Sequence, residues 1–166
     1  MKKRKISIVV IALAGIWLGV IFFMSSQTAA DSTQMSKTIT RTFLAVGEKA
    51  GIVEEGASTS NELISKYDPD TRKMAHVIMY FLLASVIFAA LWELGANKNI
   101  SAVISFFASI CIAVIDEINQ MSFTGRNSGV VSEGIADIYR DASGIGIALV
   151  ILLVLRAVKE IKNRKV

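Results

Sequence analysis

Arg72, His76 and Tyr80 fall at i, i+4 and i+8 in an otherwise apolar stretch, so on a helix they share one face. Asp116, Glu117 and Gln120 close the next apolar run, Arg126 follows, and Asp137 and Asp141 open the last one. Guanidinium groups recognise oxyanions through paired N–H donors, and an imidazole beside a carboxylate can accept and return a proton near neutral pH. His76, Asp116 and Glu117 are therefore the candidate catalytic residues, with Arg72, Tyr80, Gln120, Arg126, Asp137 and Asp141 as candidate ligand contacts. His76 with Asp116, Glu117 and Asp137 is also a donor set that can hold a divalent cation with one position open to water, although the sequence names no particular metal or cofactor. A third chemistry is purely structural: Arg72 and Arg126 would neutralise some of Asp116, Glu117, Asp137 and Asp141 and so fix helix packing. There is one histidine and no HExxH or nucleophile elbow, and Ser25 and Ser26 fit a helix end better than a nucleophile. Network, binding site and enzyme all remain open on residue types alone.

The elements that must position these groups are apolar runs of near membrane-spanning length. Residues 6–24 contain no charge, 74–94 only His76 and Glu93 as ionisable groups besides Tyr80, 100–115 none, and 138–155 only Arg140 and Asp141 among charged residues. A span needs about 20 residues at about 1.5 Å rise each. The expectation is an all-α membrane bundle, one domain over 1–166, with spans at 6–24, 70–94, 100–120 and 135–156 and an outer loop at 25–69. The last two reach span length only by including their polar ends, which places the ionisable cluster in the outer third of the membrane.

Inside the long connection, Met35, Ile39, Phe43, Leu44 and Val46 recur at roughly helical spacing between charged residues. They predict a helix that lies on the membrane surface or packs against the span ends. Gly47, Gly51 and Gly56 predict a break after it. Asp68-Pro69-Asp70 reads as an N-cap, a first helical residue and a favourable first-turn charge, so the second span is expected to begin near residue 69. Gly144 and Gly146 suggest close helix contact.

The net charge of +4 has a membrane explanation rather than a nucleic-acid one. Lys2, Lys3, Arg4, Lys5, Lys98, Arg156, Lys159, Lys162, Arg164 and Lys165 fall on one side of a four-span layout, facing only Glu93 and Glu160. The other side carries eight basic and twelve acidic residues, so the positive-inside rule puts both termini in the cytoplasm and the cluster outside. Residues 1–30 resemble a signal peptide with Thr28-Ala29-Ala30 as cleavage site, but the apolar run exceeds the usual h-region and reads as a retained anchor. The single cysteine, Cys111, excludes an intramolecular disulfide.

Taken in order, Ser25-Ser26-Gln27, Arg72-Lys73-Met74-Ala75-His76 with Tyr80, Asp116-Glu117-Ile118-Asn119-Gln120, Gly125-Arg126 and Asp137 through Gly144 make the chain resemble the VanZ-like family of bacterial integral membrane proteins. Asn119 stands where many members carry histidine. The resemblance implies a multi-pass protein of the bacterial plasma membrane linked to teicoplanin-type glycopeptide resistance. Membrane lipids, or a lipid-linked cell-wall precursor, are the partners that such a location and charge pattern suggest.

Overall fold

The computed structural model describes residues 2–122 and 131–164, so Arg126 lies outside the described residues. The described residues form helices α1 (Lys2–Ser25), α2 (Ala29–Lys49), α3 (Asn61–Glu93), α4 (Lys98–Met121) and α5 (Val131–Arg164), with a 3-10 turn at Ala57–Thr59 and no strand. Four of them, α1, α3, α4 and α5, are long and apolar enough to cross a bilayer. Their outward faces carry Ile16, Phe107 and Val150, each more than 60% exposed, as lipid-facing residues should be.

Helix α3 is central and packs against all four other helices. Ile21, Leu83, Ala84, Phe88, Ala113 and Ile145 are buried together around it. The tightest crossing is between α3 and α5. A β-carbon added to Gly144 would lie 2.2 Å from the Val77 carbonyl oxygen, whereas one on Gly146 meets nothing within 4 Å. Only the first of the two glycines is therefore a contact residue.

The short Gly95 connection, at φ 96°, sends α4 back along α3. At that end Arg156 stacks on the Trp92 ring at 4.2 Å, and Lys98 pairs with Glu160. The opposite end gathers Ser25, Arg72, His76, Asp116 and Asp137 around one cavity. With four antiparallel spans, the start of α1 and the end of α5 lie at the end away from that cavity.

The start of the second span differs from expectation. Ser60, not Asp68, is the N-cap, accepting from the Leu63 amide, and Pro69 lies inside the helix. The eight added residues bury Ile64 and Asp68 against α2 and the 3-10 turn, which outweighs the local start signal at Asp68-Pro69. Helix α2 is the helix that the spacing of 35–46 predicts. Its Ser36, Thr40 and Leu44, at i, i+4 and i+8, form the buried face, and Thr40 Oγ1 donates to Thr71 Oγ1 at 2.8 Å. Phe43 and Val46 remain exposed on another face.

Gly51 and Gly56, at φ 68° and 88°, turn the chain after α2. There the Glu48 carboxylate accepts from the Ser58 amide at 2.7 Å and from its hydroxyl at 3.0 Å. The Ser58 amide bond holds this carboxyl below the usual carboxylate range. A depressed folded pKa means the link is present above the ordinary value and is lost as pH falls through the folded one. The Ser58 amide resonance should therefore stay constant through mildly acidic pH and move only below the usual Glu midpoint; a midpoint at the ordinary value would contradict the Glu48–Ser58 hydrogen bond.

Candidate functional site

Because α3 starts early, its polar stripe is one turn longer than the sequence spacing implies: Asp68, Arg72, His76 and Tyr80 share one face. Each is tied to a different element. Asp68, only 7% exposed, accepts from Ser36 Oγ of α2 at 2.6 Å and from Arg72 Nε at 3.2 Å. Arg72 also donates through Nη2 to Thr33 Oγ1 at 2.8 Å. His76 Nδ1 lies 3.0 Å from Asp141 Oδ1 on α5. The Tyr80 hydroxyl donates to Asp116 Oδ2 on α4 at 3.0 Å, and Gln120 Nε2 donates to the same oxygen at 3.0 Å.

A cavity of about 340 Å³ opens between these helices. Arg72, His76, Asp116, Gln120 and Asp137 line its polar side, joined by Lys73 and Arg140, while Met24, Met35, Ile39 and Met79 supply apolar wall. Three sequence candidates stand behind the wall rather than on it. Asp141 (2% exposed) orients the His76 ring, Tyr80 (0%) holds Asp116, and Glu117 (5%) is buried where α4 meets α5. A β-carbon on Gly134 would fall 2.6 Å from Glu117 Oε1, so that glycine makes room for the carboxylate. Among the described residues no group of three His, Cys, Asp or Glu side chains converges as a metal site, so the four-residue donor set that the sequence suggests is not assembled there.

The ion pairing corrects another expectation. Arg72 pairs with Asp68 on its own helix rather than with the acids of α4 or α5. An i, i+4 partner needs no long reach, and the early helix start supplies it. Likewise Arg140 pairs with Asp137, and Lys73 with Asp70. Every described cation on the cavity wall thus has a carboxylate beside it. Among the described residues the Asp116 carboxylate accepts from the neutral Tyr80 and Gln120, both at Oδ2, and its Oδ1 is buried without a hydrogen-bond partner.

Several residues were missed as candidates from the sequence. Thr33, Ser36 and Asp68 fix Arg72, and the only signal for Asp68 was its i−4 relation to Arg72, hidden by the Asp-Pro pattern. Asn119 donates to Ser25 Oγ at 2.7 Å, and Ser25 Oγ donates to the Asp116 carbonyl at 3.2 Å, so the end of α1 is pinned to α4 beside the cavity.

The family model for VanZ/LLP1 matches residues 10–156, from early in α1 to late in α5. The chain belongs to the VanZ/LLP1 family. No curated protein and no solved structure matches it. The VanZ/LLP1 match reaches into all four spans and covers every residue of the cavity wall, so the site lies wholly within the family's domain.

Proposed function

We propose that this chain is a plasma-membrane protein of the cell envelope that lowers susceptibility to teicoplanin-type glycopeptides. It does so by binding or altering the anionic headgroup of a surface lipid or lipid-linked wall precursor. The observation that carries this reading is the shape and chemistry of the cavity. It sits at one end of a four-span bundle, with Arg72, His76 and Arg140 on its polar side and methionine and isoleucine on its apolar side. An amphiphile whose headgroup bears phosphate complements both. The basic termini at the far end favour an outward-facing cavity. Arg72 uses Nε and Nη2 within the protein, which leaves Nη1 to meet an oxyanion.

Native mass spectrometry of the purified protein tests the proposal. Replacing Arg72 by lysine keeps the charge near Asp68 but removes the planar fork, and replacing it by alanine removes both. Co-purifying phospholipid should fall about tenfold or more in Arg72→Ala and by less in Arg72→Lys, in step with teicoplanin susceptibility of cells expressing each variant. Undiminished lipid in a folded Arg72→Ala protein would remove the reading.

One observation favours a second reading, a hydrolase or transferase. His76 lines the cavity with Nδ1 held by Asp141, so its other ring nitrogen is the one able to exchange a proton with a bound group. On that reading His76→Ala retains bound lipid and loses turnover.

A further inference from the structure

Resting on the headgroup-binding reading, we infer that the cavity selects a phosphate-bearing headgroup that also carries a hydrogen-bond donor, an ammonium or a hydroxyl, beside the phosphate, and that Asp116 Oδ1 accepts from it. Three observations combine. Asp116 lines the cavity and is 1% exposed. Its two oxygens are treated differently: Oδ2 receives both the Tyr80 hydroxyl and the Gln120 amide, while Oδ1 receives nothing from the described residues. Finally, Arg72 and Arg140 already have carboxylate partners, so the wall is not a bare cationic trap that any phosphate would satisfy.

A buried acceptor left unmade is unfavourable, and a ligand that supplies the missing donor recovers that cost. A headgroup with phosphate alone would leave Oδ1 unmet and place like charge beside it. One with a donor next to the phosphate meets Arg72 and Asp116 together. Phosphatidylethanolamine and phosphatidylglycerol have that chemistry, through ammonium and hydroxyl respectively. Phosphatidylcholine has the same net charge as phosphatidylethanolamine but no N–H.

The substitution Asp116→Asn inverts this wall position. Tyr80 and Gln120 both donate to one oxygen, so the asparagine carbonyl must take that place and its NH2 must take the place of Oδ1. An acceptor becomes a donor with little change of shape.

The experiment is native mass spectrometry of wild type and Asp116→Asn, each exchanged into detergent with equimolar dioleoyl phosphatidylethanolamine, phosphatidylglycerol and phosphatidylcholine. Wild type should retain a donor-bearing lipid about tenfold or more over phosphatidylcholine, and Asp116→Asn should bring that ratio to about twofold or less. Preference for phosphatidylethanolamine over phosphatidylglycerol identifies ammonium as the donor, and the reverse identifies hydroxyl. Equal retention of phosphatidylethanolamine, phosphatidylglycerol and phosphatidylcholine by wild type, with all three released by Arg72→Ala, overturns this inference and leaves headgroup binding standing. Retention of none of them overturns both. An unchanged preference in Asp116→Asn also overturns the inference. Should that variant not fold, the wild-type ratio decides alone.

Discussion

Gly144→Ala should fail to accumulate as folded protein, or should melt far below wild type in detergent, while Gly146→Ala two residues away should melt at or above the wild-type temperature. The added carbon at 144 would lie 2.2 Å from the Val77 carbonyl oxygen, and Val77 Cα and carbonyl carbon are also within about the same contact shell at 3.1 and 3.0 Å. Backbone cannot rotate away as a side-chain tip can, so α3 and α5 must separate. Overpacking of this kind costs about 1–3 kcal/mol, and here the upper end or beyond applies because the whole crossing moves. That crossing holds His76 against Asp141, so loosening it also disturbs the site. At 146 nothing lies within 4 Å, and replacing a helix-interior glycine by alanine gains up to about 1 kcal/mol in propensity. Equal melting temperatures for the two variants would show that the α3–α5 approach is not as close as described.

The architecture and the end of the bundle that carries the polar groups could be read from the amino-acid sequence because both depend on one-dimensional signals. The four apolar runs match the four span-length helices, and the described ionisable candidates at their tips are found around one cavity or directly behind it. What could not be read was which group meets which. Pro69 is an example: a proline within a helix costs about 3 kcal/mol in lost bonding and ring clash, and locally that favours a helix start. The cost is offset by burying Ile64 to 2% exposure, about 1.5–3 kcal/mol, together with the Asp68 contacts to Ser36 and Arg72. None of those partners is near in sequence except Arg72.

The same limit explains the pairing. Eight candidate residues converge from three helices, yet their roles divide within a single turn of helix. Asp116 and Gln120 reach the cavity, whereas Glu117, one residue from Asp116, points into the α4–α5 contact that Gly134 accommodates. Periodicity assigns Asp116 and Gln120 to one face, but only packing tells which face is hollow. Gly144 and Gly146 show this in its simplest form, being equivalent in composition and opposite in surroundings.

His76→Leu alone should destabilise the protein by about 3 kcal/mol or more, and the double variant His76→Leu with Asp141→Leu should recover most of that loss without recovering function. Asp141 is 2% exposed and His76 Nδ1 lies 3.0 Å from its Oδ1, so the single substitution strands a buried carboxyl group. Replacing both members by apolar groups of similar volume removes the stranded group, and such replacements are often neutral or stabilising. Melting temperature in detergent reads the first effect. Lipid retention and teicoplanin susceptibility of expressing cells read the second. The two readouts separate because His76 lies on the cavity wall and Asp141 behind it: a scaffold role is restored by leucine packing, whereas contact with a ligand through an imidazole nitrogen is not. If the double variant regains melting temperature, lipid and resistance together, the pair serves only to join α3 to α5, and the site must then be carried by Arg72 and Asp116 without His76.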